Sequence, residues 1–88
     1  MPRSVFTDEY ETFRLLLIEA RTSAGGTQVW LAKKLGRPQS YVSKYERGER
    51  RLDVIEFLNI SRAMDIDPCE LIRKLQRTIS GRGRVRPS

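Results

Sequence analysis

The sequence predicts an all-α domain of five short helices. Apolar residues recur every three or four positions in five segments, and short stretches with glycine, proline or a helix-capping residue separate these segments. We find no alternation of apolar and polar residues that would indicate a strand. The 88 residues are enough for one domain. We expect this domain to span residues 8–79, after a flexible N-terminus at residues 1–7 and before a basic disordered tail at residues 80–88.

The first predicted helix begins at a capping box formed by Asp8 and Glu11. It runs to about Ala24 and is ended by Gly25 and the glycine after it. One face carries apolar residues at a spacing of three or four, namely Tyr10, Phe13, Leu16, Leu17 and Ala20. We expect this face to lie in the core.

Residues 27–48 predict a helix-turn-helix. Thr27 can cap the second helix, and Gly36 is the residue type that usually lies just past a helix end. Pro38 is tolerated at the start of the third helix, because its missing N–H would be unpaired there. Leu31, Ala32 and Leu35 form an apolar stripe on the second helix, and Val42 and Tyr45 form one on the third.

Two further helices are predicted after the helix-turn-helix. Asp53 and Glu56 form a capping box for a fourth helix at about residues 54–64. Asp67 and the proline after it start a fifth helix, which we expect to run to about Thr78. The predicted inward face of the fourth helix consists of Val54, Phe57, Ile60, Ser61 and Met64.

Positive charge is concentrated in two segments of the chain. The net charge of the whole sequence is +6. Residues 27–52 contain seven basic and two acidic residues, and residues 77–88 contain four arginines and no acid. Residues 1–26 and 53–76 are net negative. This segregation predicts a face that binds a polyanion.

The composition excludes several classes of function. No apolar run is long enough to span a membrane, and the first residues contain no apolar h-region, so we expect no secretory signal. With no His and only Cys69, the common zinc sites are excluded. There is no nucleophile–base pair, so we expect neither an enzyme nor a cofactor. These features together predict a cytoplasmic binding protein.

The third predicted helix carries the candidates for reading DNA, because the second helix of a helix-turn-helix enters the major groove. Glutamine can bind adenine through two hydrogen bonds, lysine can reach guanine, and tyrosine can contact a thymine methyl group or a phosphate. The expected base-contacting residues are Gln39, Ser40, Tyr41, Ser43 and Lys44. Flanking arginines would bind phosphates and set the register, and these are Arg37, Arg47, Arg50 and Arg51.

Residues 12–76 resemble the phage-repressor/Cro-type helix-turn-helix domains, the lambda-repressor-like family also named for the xenobiotic response element. The resemblance rests on the segments Thr27-Gln28, Leu31-Ala32, Leu35-Gly36, Val42-Ser43, Glu46-Arg47-Gly48 and Asp53 to Met64, followed by Asp67-Pro68. Two departures are notable. Gly26 stands where the family usually has an aliphatic residue, and Trp30 stands where it usually has a polar one.

The resemblance implies roles for three more residues. Family members use a glutamine at the position of Gln28 to hold a backbone phosphate, and the positive end of the second helix favours that contact. Arg21 and Glu46 resemble a structural pair that ties the first helix to the third. The family also implies sequence-specific binding to double-stranded DNA by a dimeric transcriptional regulator, which we expect to be a repressor.

Apolar residues that lie off the inward faces of the last two helices predict a homodimer interface. They are Ile55, Leu58, Ile72 and Ile79. A two-fold dimer predicts a roughly palindromic operator with half-sites about 10 bp apart or a multiple of that. Two alternatives remain open for this surface. It is partly buried in the core, or it binds a protein partner, as in an antitoxin or a restriction-system controller. The basic tail either contacts DNA or is solvated.

Overall fold

The computed structural model describes residues 8–81, and these form five α-helices without a strand. The helices are α1 (Asp8–Ser23), α2 (Gln28–Leu35), α3 (Gln39–Glu46), α4 (Val54–Ala63) and α5 (Pro68–Gly81). The predicted all-α class and helix order are confirmed. Helix α5 continues past its predicted end, so the first two residues of the predicted tail are helical. The predicted N-terminus and the rest of the tail lie outside the described residues.

Local capping interactions determine where most helices begin and end. The Thr27 hydroxyl accepts a hydrogen bond from the Trp30 amide at 3.0 Å and caps α2. Gly36 ends α2 with a φ of 68°, a backbone conformation that disfavours residues with a Cβ. The predicted capping box of Asp53 and Glu56 is present at α4. These starts and stops fix the lengths of the helices around the site.

The start of α1 differs from the prediction. Asp8, which was predicted to cap the helix, is its first residue. Glu11 pairs with Arg14 on the next turn of the helix. The pairing is favoured because residues three apart on a helix are neighbours on its surface.

One apolar core joins all five helices. Its most deeply buried side chains are Leu17 of α1, Leu31 of α2, Val42 and Tyr45 of α3 and Ile60 of α4. Leu71 brings α5 into the same cluster. Burial of this kind stabilises by about 1.5–3 kcal/mol for each large apolar side chain. The core therefore holds α2 and α3 against the rest of the domain through their inward faces.

Val54 was predicted to lie on the inward face of α4, but 69% of its surface is exposed. Phe57, Ile60, Ser61 and Met64 of the same predicted face are buried. Val54 is the first residue of the helix. Side chains tilt toward the N-terminus of their helix, so that of Val54 extends beyond the helix end instead of covering the core.

Trp30 fills the space beside Gly26, where the resemblance implies an aliphatic side chain. A Cβ built on Gly26 would lie 1.9 Å from Cε3 of the Trp30 ring. Such a separation is far below van der Waals contact, so the ring and a side chain at position 26 cannot occupy this space together. The two departures from the family pattern therefore compensate for each other.

Candidate nucleic-acid interface

Helix α3 separates its residues into a buried face and a polar outer face. Val42 and Tyr45 lie in the core. On the other side, Gln39, Ser40 and Lys44 are exposed, and Ser43 is half-buried. The predicted arrangement of polar side chains along one side of α3 is present. Such a face can enter a major groove and offer donors and acceptors to base edges.

The predicted pair between Arg21 and Glu46 is present and fixes the C-terminal end of α3. The Arg21 guanidinium group donates from Nε and Nη2 to the two carboxylate oxygens at 2.7 and 2.9 Å. The Glu46 side chain is 4% exposed. The hydrogen bond to Glu46 raises the pKa of Arg21, against the opposing effect of burial. The two parallel hydrogen bonds have the geometry of a bidentate ion pair.

Arg14 is a second arginine of α1 that holds α3, and this role was not predicted from the sequence. Its Nη1 donates to the backbone carbonyl of Glu46. Carbonyls at a helix C-terminus lack partners within the helix, and a cation there also interacts favourably with the helix dipole. Arg14 and Arg21 are seven residues apart on α1, so they lie on the same side of the helix. That spacing was the only signal in the sequence.

Gln28 connects Glu46 to the outer face of α3. Its Nε2 donates to Oε1 of Glu46 at 2.8 Å. Its Oε1 accepts from Nε2 of Gln39 at 3.2 Å. Gln28 lies in the first turn of α2, where the positive end of the helix dipole favours a phosphate. Gln28, which was predicted to contact a phosphate, and Gln39, which was predicted to contact a base, are therefore hydrogen-bonded to each other.

Tyr41, which was predicted to contact bases, lies on the buried side of α3. Only 9% of its surface is exposed. The ring packs edge-on against Tyr45 with a centroid separation of 5.8 Å. Burial is the main cause of a raised pKa for the Tyr41 hydroxyl. We therefore do not retain Tyr41 among the residues proposed to contact bases.

Two of the predicted phosphate ligands flank the Tyr41 ring. The guanidinium carbons of Arg37 and Arg50 lie 4.7 and 4.9 Å from its centroid. These distances are within the range of cation–π attraction. Arg50 is also paired with Glu56 at 2.7 Å. The ring and the carboxylate thus hold the two arginines near the N-terminal half of α3.

The other two arginines that were predicted to bind phosphates lie beyond the C-terminal end of α3. Arg47 pairs with Glu49 at 3.0 Å and donates to the Ser43 hydroxyl. The Arg51 guanidinium lies 4.5 Å from the centroid of the Tyr10 ring. The pairing with Glu49 was not anticipated, and both of its side chains are more than half exposed. An exposed pair of this kind is weak, so a phosphate can compete for the arginine.

The four residues predicted to form a dimer interface have apolar side chains at or near the surface of α4 and α5. Ile55, Leu58 and Ile72 are 64%, 37% and 43% exposed, and Ile79 is half-buried. Val54 adds a further exposed aliphatic side chain at the start of α4. The structure thus places large apolar side chains outside the core in both helices.

Residues 8–81 contain no helix with the length and hydrophobicity needed to cross a membrane. In the same range there is no group of three or more His, Cys, Asp or Glu side chains arranged to hold a metal ion.

Comparisons with known proteins agree on one family. A helix-turn-helix family model matches residues 17–71, which is more than half of the chain. An XRE-family like protein from Pseudomonas syringae pv. tomato str. DC3000 is 52% identical, with a TM-score of 0.77, and the match covers 81% of this chain and 87% of that one. No curated protein matches the sequence.

Restriction-modification controller proteins are also similar to this chain. C.AhdI from Aeromonas hydrophila is 37% identical, with a TM-score of 0.67, and the match covers 74% of this chain and 98% of that one. C.Esp1396I, solved as a tetramer with its natural 35 base-pair operator, is 21% identical, with a TM-score of 0.75 over 82% of this chain and 95% of that one, and this shows a shared fold. The chain therefore belongs to the XRE family of helix-turn-helix proteins, and it is a DNA-binding transcriptional regulator.

Proposed function

We propose that the protein is a dimeric repressor that binds a roughly palindromic operator and reads it in the major groove with α3. This proposal rests on the polar outer face of α3. The helix is held in place by a bidentate ion pair at one end and by the core along its length. A rigid element is needed because base contacts must be placed within a fraction of an ångström.

Within this proposal, base edges are contacted by residues of the polar face, and phosphates are bound by residues around it. The proposed base contacts are made by Gln39, Ser40, Ser43 and Lys44. The proposed phosphate contacts are made by Gln28, Arg37, Arg47, Arg50 and Arg51. The first set would supply sequence discrimination, and the second set would supply affinity and register.

Dimerisation is proposed to occur through the apolar side chains of α4 and α5, namely Ile55, Leu58, Ile72 and Ile79. Their exposure supports this, because large aliphatic side chains at the surface favour association. C.Esp1396I, which has a similar fold, was solved as a tetramer on its operator. This supports the proposal that several copies of the present protein bind one DNA fragment. Two copies related by a two-fold axis would contact half-sites about 10 bp apart or a multiple of that.

A narrower role is suggested by the similarity to C.AhdI, a restriction-modification controller protein. The match spans nearly the whole of that chain, at 37% identity. Under this second candidate the protein would be the controller of a restriction-modification system. An antitoxin role would instead require a protein partner on α4 and α5, which co-purification would detect. In each case the protein acts where the DNA lies, so a cytoplasmic location is part of the proposal.

DNase footprinting tests the proposed function. The full chain is titrated onto an operator-bearing fragment, and onto a random fragment of equal length. The proposal predicts a protected region on the first fragment at concentrations that leave the second unprotected. Equal protection of both fragments would contradict sequence-specific binding.

A further inference from the structure

Helix α1 contacts both ends of the segment between α3 and α4, residues 47–53. At the start of this segment, the Arg14 side chain donates to the last backbone carbonyl of α3 and lies beside Gly48, where a Cβ would be 3.4 Å from Cδ of the arginine. At its end, the Tyr10 hydroxyl accepts a hydrogen bond from the backbone N–H of Leu52 at 3.0 Å. Tyr10 and Arg14 are four residues apart, so one face of α1 makes both contacts.

This segment carries three of the four arginines that are proposed to bind phosphates, namely Arg47, Arg50 and Arg51. Arg47 and Arg50 are each paired with a carboxylate. Arg51 contacts α1, and its guanidinium carbon lies 4.5 Å from the centroid of the Tyr10 ring. Such a contact acts on the charge of the guanidinium group and does not occupy its N–H donors. The contact with Tyr10 is therefore compatible with hydrogen bonds from Arg51 to a phosphate.

The Tyr10 ring is itself held from the side of the core. It packs edge-on against Phe13 with a centroid separation of 5.5 Å, and Phe13 packs edge-on against the buried Phe57 of α4 at 5.4 Å. A long arginine side chain loses rotamer freedom when it binds a phosphate, and a contact that orders it beforehand reduces this loss. The ring of Tyr10 can supply that order to Arg51, because its own position is fixed by the core.

We propose that Tyr10 is a positioning residue for DNA binding. Its hydroxyl fixes the backbone at Leu52, directly after Arg51, and its ring orders the Arg51 guanidinium for contact with a phosphate. The inference rests on the proposed function, because it requires that Arg51 binds a phosphate. Its new content is that a residue of α1, outside the helix-turn-helix, sets part of the affinity for DNA.

A double-mutant cycle tests this role. Fluorescence anisotropy gives Kd for the full chain as wild type, Tyr10→Leu, Arg51→Ala and the double variant, on a fragment that wild type selects from random DNA. Arg51→Ala should weaken binding about tenfold, the effect of losing a hydrogen bond to a charged group. Tyr10→Leu should weaken binding about threefold in the wild-type background. In the Arg51→Ala background it should leave Kd unchanged, because there is no guanidinium group to position.

The cycle separates positioning from a merely structural role. Partial unfolding caused by a substitution at Tyr10 lowers the apparent affinity by the same factor in both backgrounds. Tyr10→Phe keeps the ring and removes only the hydroxyl, so it serves if Tyr10→Leu fails to fold. It should weaken binding about twofold in the wild-type background and not in the Arg51→Ala background. Leu15→Ala is the matched control, since Leu15 is an exposed residue of α1, and it should keep the wild-type Kd.

A measurement without DNA distinguishes failure of the inference from failure of the proposed function. The NMR order parameter of the Arg51 Nε–H group should exceed about 0.6 in wild type and fall below that value in Tyr10→Leu. Equal order parameters in the two proteins would overturn the inference and leave the proposed function intact. So would an equal effect of Tyr10→Leu in both backgrounds, or a wild-type Kd for Arg51→Ala. If wild type selects no DNA sequence at all, the proposed function fails and the inference fails with it.

Discussion

Arg21 and Glu46 join α1 to the end of the DNA-reading helix α3 through two hydrogen bonds of 2.7 and 2.9 Å. Their side chains are 13% and 4% exposed, so water screens the pair poorly. The residues are 25 positions apart in the sequence. The pair is therefore a tertiary contact that orients α3 relative to the domain, and not a local helix contact.

Replacing Arg21 with Met should strongly destabilise the fold. The substitution leaves the buried Glu46 carboxylate without its counter-ion, which costs about 3 kcal/mol of the free energy of unfolding. Urea titration followed by the fluorescence of Trp30, the single tryptophan, measures this. Arg73→Met is the control, because its pair with Glu70 is 3.7 Å long with both side chains more than half exposed. Equal stability of the two variants would contradict the structural role of the Arg21 pair.

Local signals in the sequence predicted most of the fold. The caps at Thr27 and Asp53 and the stop at Gly36 involve residues within four positions of each other, so pattern and propensity reveal them. Helix α5 passed its predicted end at Thr78 because no helix-breaking residue precedes Gly81. The exposure of Val54 is an end effect that the spacing of apolar residues does not detect.

The site was predicted less completely, because part of it depends on contacts between helices. Tyr41 was predicted to contact bases because tyrosine can reach a thymine methyl group, and only the packing of α3 shows that its ring is buried. Gln39 donates a hydrogen bond to Gln28, and Gln28 donates one to Glu46, so these bonds connect α2 to both ends of α3. No periodicity in the sequence predicts hydrogen bonds between side chains of different helices.

Gly26→Ala should destabilise the domain through a clash with the Trp30 ring. The new Cβ would lie 1.9 Å from that ring, and overpacking of this kind costs about 1–3 kcal/mol. Thermal unfolding monitored by circular dichroism would show a lower Tm. In a Trp30→Ala background the same glycine substitution should cost much less, because the space beside Gly26 is then open. Equal costs in both backgrounds would show that the two residues are not coupled.

Arg51→Ala should weaken binding to all DNA sequences alike. The proposed contact is to a phosphate, so its loss lowers affinity without changing base preference and reduces the slope of log K against log salt by about one. Anisotropy titrations at several salt concentrations, on an operator and on random DNA, measure both effects. Arg73→Ala, on α5 and outside the proposed interface, should keep the wild-type slope. A change in base preference caused by Arg51→Ala would contradict a phosphate contact.

Ile55→Glu should convert the protein to a monomer. A charge placed in an apolar interface must be desolvated on association, which disfavours the dimer. Size-exclusion chromatography with light scattering gives the mass, and wild type should elute as a dimer. Leu15→Glu is the matched control, since Leu15 is a 54% exposed aliphatic residue on α1. A dimer that survives Ile55→Glu, Leu58→Glu and Ile72→Glu would place the interface elsewhere.

Selection of bound fragments from a pool of random duplex DNA would show how the protein reads its site, because it reports the sequence, the symmetry and the spacing of the site together. A dimer that reads DNA with two copies of α3 predicts enrichment of an inverted repeat whose half-sites are centred about 10 bp apart or a multiple of that. Gln39→Ala should relax one position in each half-site while the symmetry is retained. A pool that stays random after repeated rounds, or one enriched in an asymmetric single site, would contradict sequence-specific binding by a two-fold dimer.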